Sequence, residues 1–209
     1  MRVFLQQHPT IKIEVTEVAL NGGWELLENN YIDLAIGCPR PVPQQKGYGA
    51  GALADFEPTA TIACNYPPAV AKDQNAINNL RKIIIHDTCV DAIAGSSGFD
   101  YQDEVFYVQN IDQKVTAIRA AIGIGNIPQH QVPSLTNSGE LIVVNAVDAA
   151  SDQHYIAWKI SSKNRRLMGL RDALIQSTLS GLSDTPKKAW QRRILVIIYN
   201  SDYSHHHFF

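Results

Sequence analysis

Three polar residues, His86, Asp87 and Thr88, follow the apolar run Lys82–Ile85 in the segment KIIIHD. A histidine beside a carboxylate is the pairing that general acid–base chemistry uses, because imidazole titrates near neutral pH. No nucleophile motif such as GxSxG accompanies it, and no two carboxylates are spaced for hydrolysis. The remaining readings are polar contacts to a bound small molecule, or exposed strand-end residues with no role. Cys38, Cys64 and Cys89 are odd in number, widely spaced and free of any CxxC, so they read as reduced thiols. Cys38 reads as a small filler rather than a reactive thiol. Gly123-Ile124-Gly125 contains GIG, but the full GxGxxG is absent and these glycines follow a helix instead of opening one. His205, His206 and His207 sit in a terminal tail, where converging metal ligands are seldom fixed. No catalytic group, metal or cofactor is expected, and the chain is not expected to be an enzyme.

Glu17–Pro39, reading EVALNGGWELLENNYIDLAIGCP, is the most informative stretch. It is a strand, an Asn-Gly-Gly break, a short amphipathic helix and a second strand. In open α/β sheets, ligands sit outside the carboxyl ends of the strands. Asn21, Gly22 and Gly23 can present backbone N–H groups to a carboxylate, or form a simple turn. Trp24 is a candidate ligand contact, with ordinary core packing as the competing reading. Gly37, Cys38 and Pro39 stand where the chain leaves the sheet, and their small side chains would admit a ligand.

The elements that must position these residues follow from periodicity. Val3, Phe4 and Leu5 end a helix stopped near His8-Pro9. IKIEVTEV alternates, with Ile11, Ile13 and Val15 on one side, as in a half-buried strand. WELLENNYID gives about two helical turns ended by Asn29-Asn30. DLAIG is an unbroken apolar run, the mark of a strand covered on both faces in a parallel sheet. Arg40–Gly51 reads as a loop, with strand signals near Leu53 and over Thr59–Cys64. Pro67-Pro68 suggests a crossover between two lobes. A helix near Asp73–Leu80, the strand KIIIHD, a loop at Gly95–Gly98 and the strand EVFYVQN follow. NIDQKVTAIRAAIGIGNIP is a helix with Val115, Ile118, Ala121 and Ile122 at helical spacing, ended by Gly123 and Gly125. IPQH, a turn at Asn137–Gly139, ELIVVNA, and a returning strand HYIAWKI come next. NRRLMGLRDALIQSTL closes the pattern as a helix with Leu167, Leu170 and Leu174 on one face. Strands alternating with helices imply βαβ units.

Composition narrows the partners. The 209 residues are 45% hydrophobic and 18% charged, which suits a globular α/β chain. A net charge of -2 argues against a free-standing nucleic-acid binder. No apolar run reaches the roughly 18 residues that span a bilayer, and the N-terminus turns polar after Leu5, unlike a signal peptide. A cytoplasmic location is expected. Arg165, Arg166, Lys187, Lys188, Arg192 and Arg193 read as a solvated basic surface.

The chain resembles the effector-binding domain of LysR-type transcriptional regulators from Phe4 to about Leu179. FLQQHPTIKIEVTEV is similar to the family's entry segment, LLENNYIDLAIG to its "L..G..D.AIG" signature, and TIACNYPPAVA to its strand and "HPLA" crossover. VQNIDQKVTAIRAAIGIGNIPQH resembles the "G.GI..LP" helix and turn, and AWKISSKNRRLMGLRDAL the returning strand and last helix. Trp24 after Gly-Gly and the pair Gly47-Tyr48 are reminiscent of regulators of allantoin or purine breakdown. The resemblance implies a two-lobed α/β fold of the periplasmic-binding-protein-like type 2 class. It has mainly parallel sheets, flanking helices and an inter-lobe cleft. Lobe I is expected at 1–68 plus 155–182 and lobe II at 69–154, with an atypical tail at 183–209. A small metabolite, anionic or neutral, is expected to bind at Asn21, Gly23, Trp24, Gly37, Cys38, Pro39, His86, Asp87, Thr88 and Ile124. It would control a DNA-binding head outside this chain, in a homodimer or tetramer. A cytosolic solute-binding protein of the same architecture is the alternative, and a small α/β enzyme a more distant one.

Two departures from the family stand out. The helix-turn-helix, linker helix, first strand of the domain and most of the following helix have no counterpart here, which should expose the edges of two strands. Ala121 replaces a usual glycine. The tail carries RRILVIIYN, a run of strong β propensity. It is read as a poorly packed extension in preference to Ile194–Tyr199 filling the empty strand position.

Overall fold

The computed structural model describes residues 2–43, 47–53, 58–90, 104–145, 153–162, 164–180 and 194–200. The Gly95–Gly98 loop, the tail residues Lys187, Lys188, Arg192 and Arg193, and the three tail histidines lie outside them. Along the chain run α1 (Arg2–Gln7), β1 (Lys12–Val18), α2 (Gly22–Glu28), β2 (Leu34–Cys38), β3 (Tyr48–Ala52), β4 (Pro58–Ala63), α3 (Pro68–Lys72), α4 (Gln74–Asn78) and β5 (Lys82–Ile85). Then come β6 (Val105–Val108), α5 (Ile111–Arg119), β7 (Gly125–Pro128), α6 (Val132–Asn137), β8 (Leu141–Val143), β9 (Tyr155–Lys159), α7 (Arg165–Ser180) and β10 (Ile194–Asn200).

The first sheet has the order β1-β10-β2-β9-β3, with every adjacent pair antiparallel. β1, β2 and β3 therefore share one direction, and β9 and β10 run back between them. The other strands form the antiparallel sheet β7-β4-β8 and the parallel pair β5-β6. Ile124 joins the two groups. It bridges Lys82 in parallel, its carbonyl accepts from the Ile83 N–H at 2.8 Å, and its N–H donates to the Arg81 carbonyl at 2.9 Å. The α/β class stands, but among the described residues parallel pairing is confined to β5, β6 and the Ile124 bridge. An apolar run such as Leu34–Ile36 reports cover on both faces, not the direction of its neighbours. The chain changes sheet between Ala52 and Pro58, ahead of the Pro67-Pro68 break where the sequence suggests a crossover. Pro67 instead caps α3 and Pro68 opens it, the first helical turn being where proline's missing N–H costs nothing.

β10 overturns the reading of the tail as a loosely packed extension. It pairs along its length with β1, from Lys12 opposite Asn200 to Val18 opposite Ile194, and through Leu195–Ile197 with β2. Without it, β1 and β2 would each present an unpaired row of backbone groups, and a seven-residue extended segment satisfies both at once. β1 itself is less covered than expected: Ile13 is half-buried, but Val15 is 48% exposed.

Two clusters sandwich β2. Leu34 and Ile36 pack with Phe4, Ile156, Leu167, Leu170 and Leu174 under α1 and α7. Ala35 packs on the other face with Trp24, Leu27, Ile32, Cys38 and Ala157. Strict alternation would send Cys38 to the face of Ile36. A register shift between Ile36 and Cys38 re-phases the strand, and Gly37 makes it with a φ of 94°, a conformation that glycine adopts without Cβ strain. The α7 leucines lie on the inward face as their spacing predicts. α5 ends earlier than expected. Ala121 takes the left-handed φ of 56° that ends it, a position where glycine is usual.

Candidate functional site

The two polar segments singled out in the sequence meet in the fold. Ala19, Leu20 and Asn21 link β1 to α2, while His86, Asp87 and Thr88 leave β5. Asn21 occupies the cap position of α2, yet its side chain makes no cap hydrogen bond. Its amide Nδ2–H donates to Asp87 Oδ2 at 2.8 Å, and its backbone N–H donates to Asp87 Oδ1 at 3.1 Å. The Cys89 N–H adds a third donor to Oδ1 at 3.0 Å. Asp87 is 6% exposed. A buried carboxylate is costly unless its lone pairs are filled, and three N–H groups fill them here.

Thr88 makes the adjoining contact. Its Oγ1 accepts from the Ala19 N–H at 3.0 Å and donates to the Ala19 carbonyl at 3.1 Å. One hydroxyl thus serves both backbone groups of one residue. Gly22 allows this approach: a Cβ there would collide with Thr88 Oγ1. Sequence reasoning missed Glu25, whose Oε2 accepts from the Val90 N–H at 2.9 Å. An acidic residue in the first turn of α2 was the available signal.

The other expected site residues fall in three separate places. Trp24 is 6% exposed and packs in the cluster with Leu27 and Cys38. Its indole N–H donates to the Pro39 carbonyl at 3.0 Å, and its ring lies 5.7 Å from that of Tyr48. Gly23 is buried beside it, and Gly37 shapes the bulge that brings Cys38 to this face. Burial raises the pKa of the Cys38 thiol well above the usual cysteine range. His86 is exposed, with its ring edge-on to Tyr107 at 5.5 Å. Ile124 is 4% exposed and packs among Ala60, Ile62, Ile77 and Val144. Among the described residues, no group of three or more metal-ligating side chains converges, and no helix is long and apolar enough to cross a membrane.

The arrangement ties a strand end of one sheet to a strand end of another through mutually satisfied polar groups. It offers no activated nucleophile among the described residues. Comparison with known proteins bears on the same geometry. The chain is 22% identical over 197 residues to the uncharacterized HTH-type transcriptional regulator YeeY of Escherichia coli (strain K12), a match covering 90% of this chain and 64% of YeeY. The chain thus spans somewhat less than two thirds of that relative's length. The regulatory domain of MetR, a LysR family regulator from N. meningitidis, superposes with a TM-score of 0.63 at 14% identity, over 96% of this chain and 90% of that one. The BenM effector-binding domain with its effector benzoate gives a TM-score of 0.58 at 13% identity, over 89% and 87%. These neighbours show a two-lobed, periplasmic-binding-protein-like fold. The LysR substrate binding domain model matches residues 1–178, so the chain belongs to that family of ligand-sensing regulatory domains rather than to an enzyme family.

Proposed function

We propose that this chain senses a small carboxylate-bearing metabolite at the junction between its sheets. The proposed contacts are Asn21, His86, Asp87 and Thr88, where the two strand ends meet, while Trp24, Cys38 and Ile124 are packed in apolar clusters away from it. The observation that carries the reading is the meeting of Asn21 with Asp87 and of Ala19 with Thr88, which brings one strand end from each sheet to a single place. Groups on two bodies that share one boundary are what a ligand must engage to favour one arrangement over another. A carboxylate is the favoured ligand class because the similar BenM domain holds benzoate.

In the same proposal the ligand acts on transcription through a helix-turn-helix head carried outside this chain, in a cytoplasmic homodimer or tetramer. The helix-turn-helix type of YeeY and the part of its length that this chain does not span support that reading. Hydrogen exchange tests the site. A pool of small carboxylates, ureides and purine-pathway metabolites should slow exchange at residues 19–22 and 86–88. Slowing confined to other segments contradicts the site, and no slowing from any pool contradicts the sensing role.

A further inference from the structure

We propose that the corner formed by Asp87 and Thr88 is a latch that holds the two sheets together and sets how readily they separate. Three features carry it. Six hydrogen bonds cross this one boundary: Asn21 N–H and Nδ2–H to Asp87, the reciprocal pair between Thr88 Oγ1 and Ala19, Thr88 N–H to the Ala19 carbonyl, and Val90 N–H to Glu25. The Ala19 and Asn21 N–H groups, which would otherwise face the boundary unpaired, are satisfied from the opposite side. The absence of a side chain at Gly22 is what lets Thr88 seat, so the contact depends on shape as well as on polarity.

The physical consequence is a two-state element. While the latch is closed, Asp87 stays buried and fully paired. Opening it re-exposes the carboxylate and the Ala19 and Asn21 N–H groups to water, so solvent replaces what the protein loses and the opened form remains accessible. A ligand that supplies its own carboxylate to Asn21 competes with Asp87, and one that engages both sides reinforces the latch. This consequence for ligand binding rests on the proposed sensing site. The latch itself does not, and it is tested with no ligand present, so its failure leaves that proposal standing.

The experiment is hydrogen exchange with small-angle scattering on the 209-residue chain and two variants. Thr88→Val keeps the shape and removes both Oγ1 bonds, and Gly22→Ala displaces Thr88 without touching a polar group. In both, exchange at the Ala19 and Asn21 amides should rise about tenfold or more. Exchange at Leu34–Ile36 and Ile62 should hold, and the radius of gyration should increase. Unchanged exchange at Ala19 and Asn21 in both variants overturns the latch. So does faster exchange throughout both sheets at a constant radius of gyration, since the contact is then ordinary packing. If Thr88→Val does not fold, Asp87→Asn takes its place, with the rise in exchange, or its absence, read at the Asn21 amide.

Discussion

The Asp87 carboxylate holds Asn21 twice, through the backbone N–H at 3.1 Å and the side-chain amide at 2.8 Å, across 66 residues of sequence. A hydrogen bond to a charged group contributes about 1.5–3 kcal/mol, and a buried donor left unpaired adds a penalty. Asp87→Ala should therefore destabilise the chain by roughly 2–4 kcal/mol, lowering Tm by several degrees. A thermal unfolding scan checks it. A Tm within one degree of the parent would show that Asp87 is not an effective partner of Asn21.

Cys38 gives a chemical test of the packing around α2. It is fully buried and its thiol pKa is pushed far up by desolvation, whereas Cys64 is exposed. Alkylation requires thiolate and access. Under native conditions at neutral pH, iodoacetamide should label Cys64 and leave Cys38 unmodified. Rapid labelling of Cys38 in folded protein would contradict its placement beneath Trp24.

Gly37 re-phases β2. Its φ of 94° is strained for any residue with a Cβ, and such strain costs about 1–3 kcal/mol. Gly37→Ala should lower stability by that amount in a denaturant titration, with Cys38 gaining reactivity as the Trp24 cluster loosens. Retained stability would mean that the bulge is not needed.

The tail makes a sharper prediction. Removing Ala189–Phe209 deletes β10 and leaves β1 and β2 with unpaired edges. The truncated chain should melt several degrees lower and aggregate more readily. An unchanged melting temperature would show that β10 contributes nothing to the sheet.

Much of this was readable in the residues, and the rest was hidden for physical reasons. The α7 leucines and most of the apolar stripe of α5 follow from helical spacing; α7 forms where that spacing places it, whereas α5 stops at Arg119, before Ala121 and Ile122. β3 lay concealed in a stretch rich in Pro, Gly and Gln. Its Gly49 lies against the Trp158 ring, where a Cβ would not fit, so packing rather than propensity makes that strand. α6 was missed because its apolar residues are few and a Pro sits in its first turn. The tail was misjudged because an apolar run carries no record of which edge it will pair with. At the candidate site, the sequence suggested donors at Asn21 for a carboxylate, but no local pattern links Asn21 to Asp87. Chain reversal supplies that carboxylate from within. Trp24 was bound to stay ambiguous, because an indole serves a core and a cleft equally well.

The central claim, that this domain binds a small carboxylate-bearing metabolite, is tested most directly by thermal unfolding against a panel of small carboxylates, ureides and purine-pathway metabolites. A ligand at about 100 times its Kd stabilises the fold by roughly 2.7 kcal/mol, so at least one carboxylate should raise Tm by several degrees. That shift should shrink sharply in Asn21→Ala. A single cooperative transition that no member of the panel moves would contradict the claim.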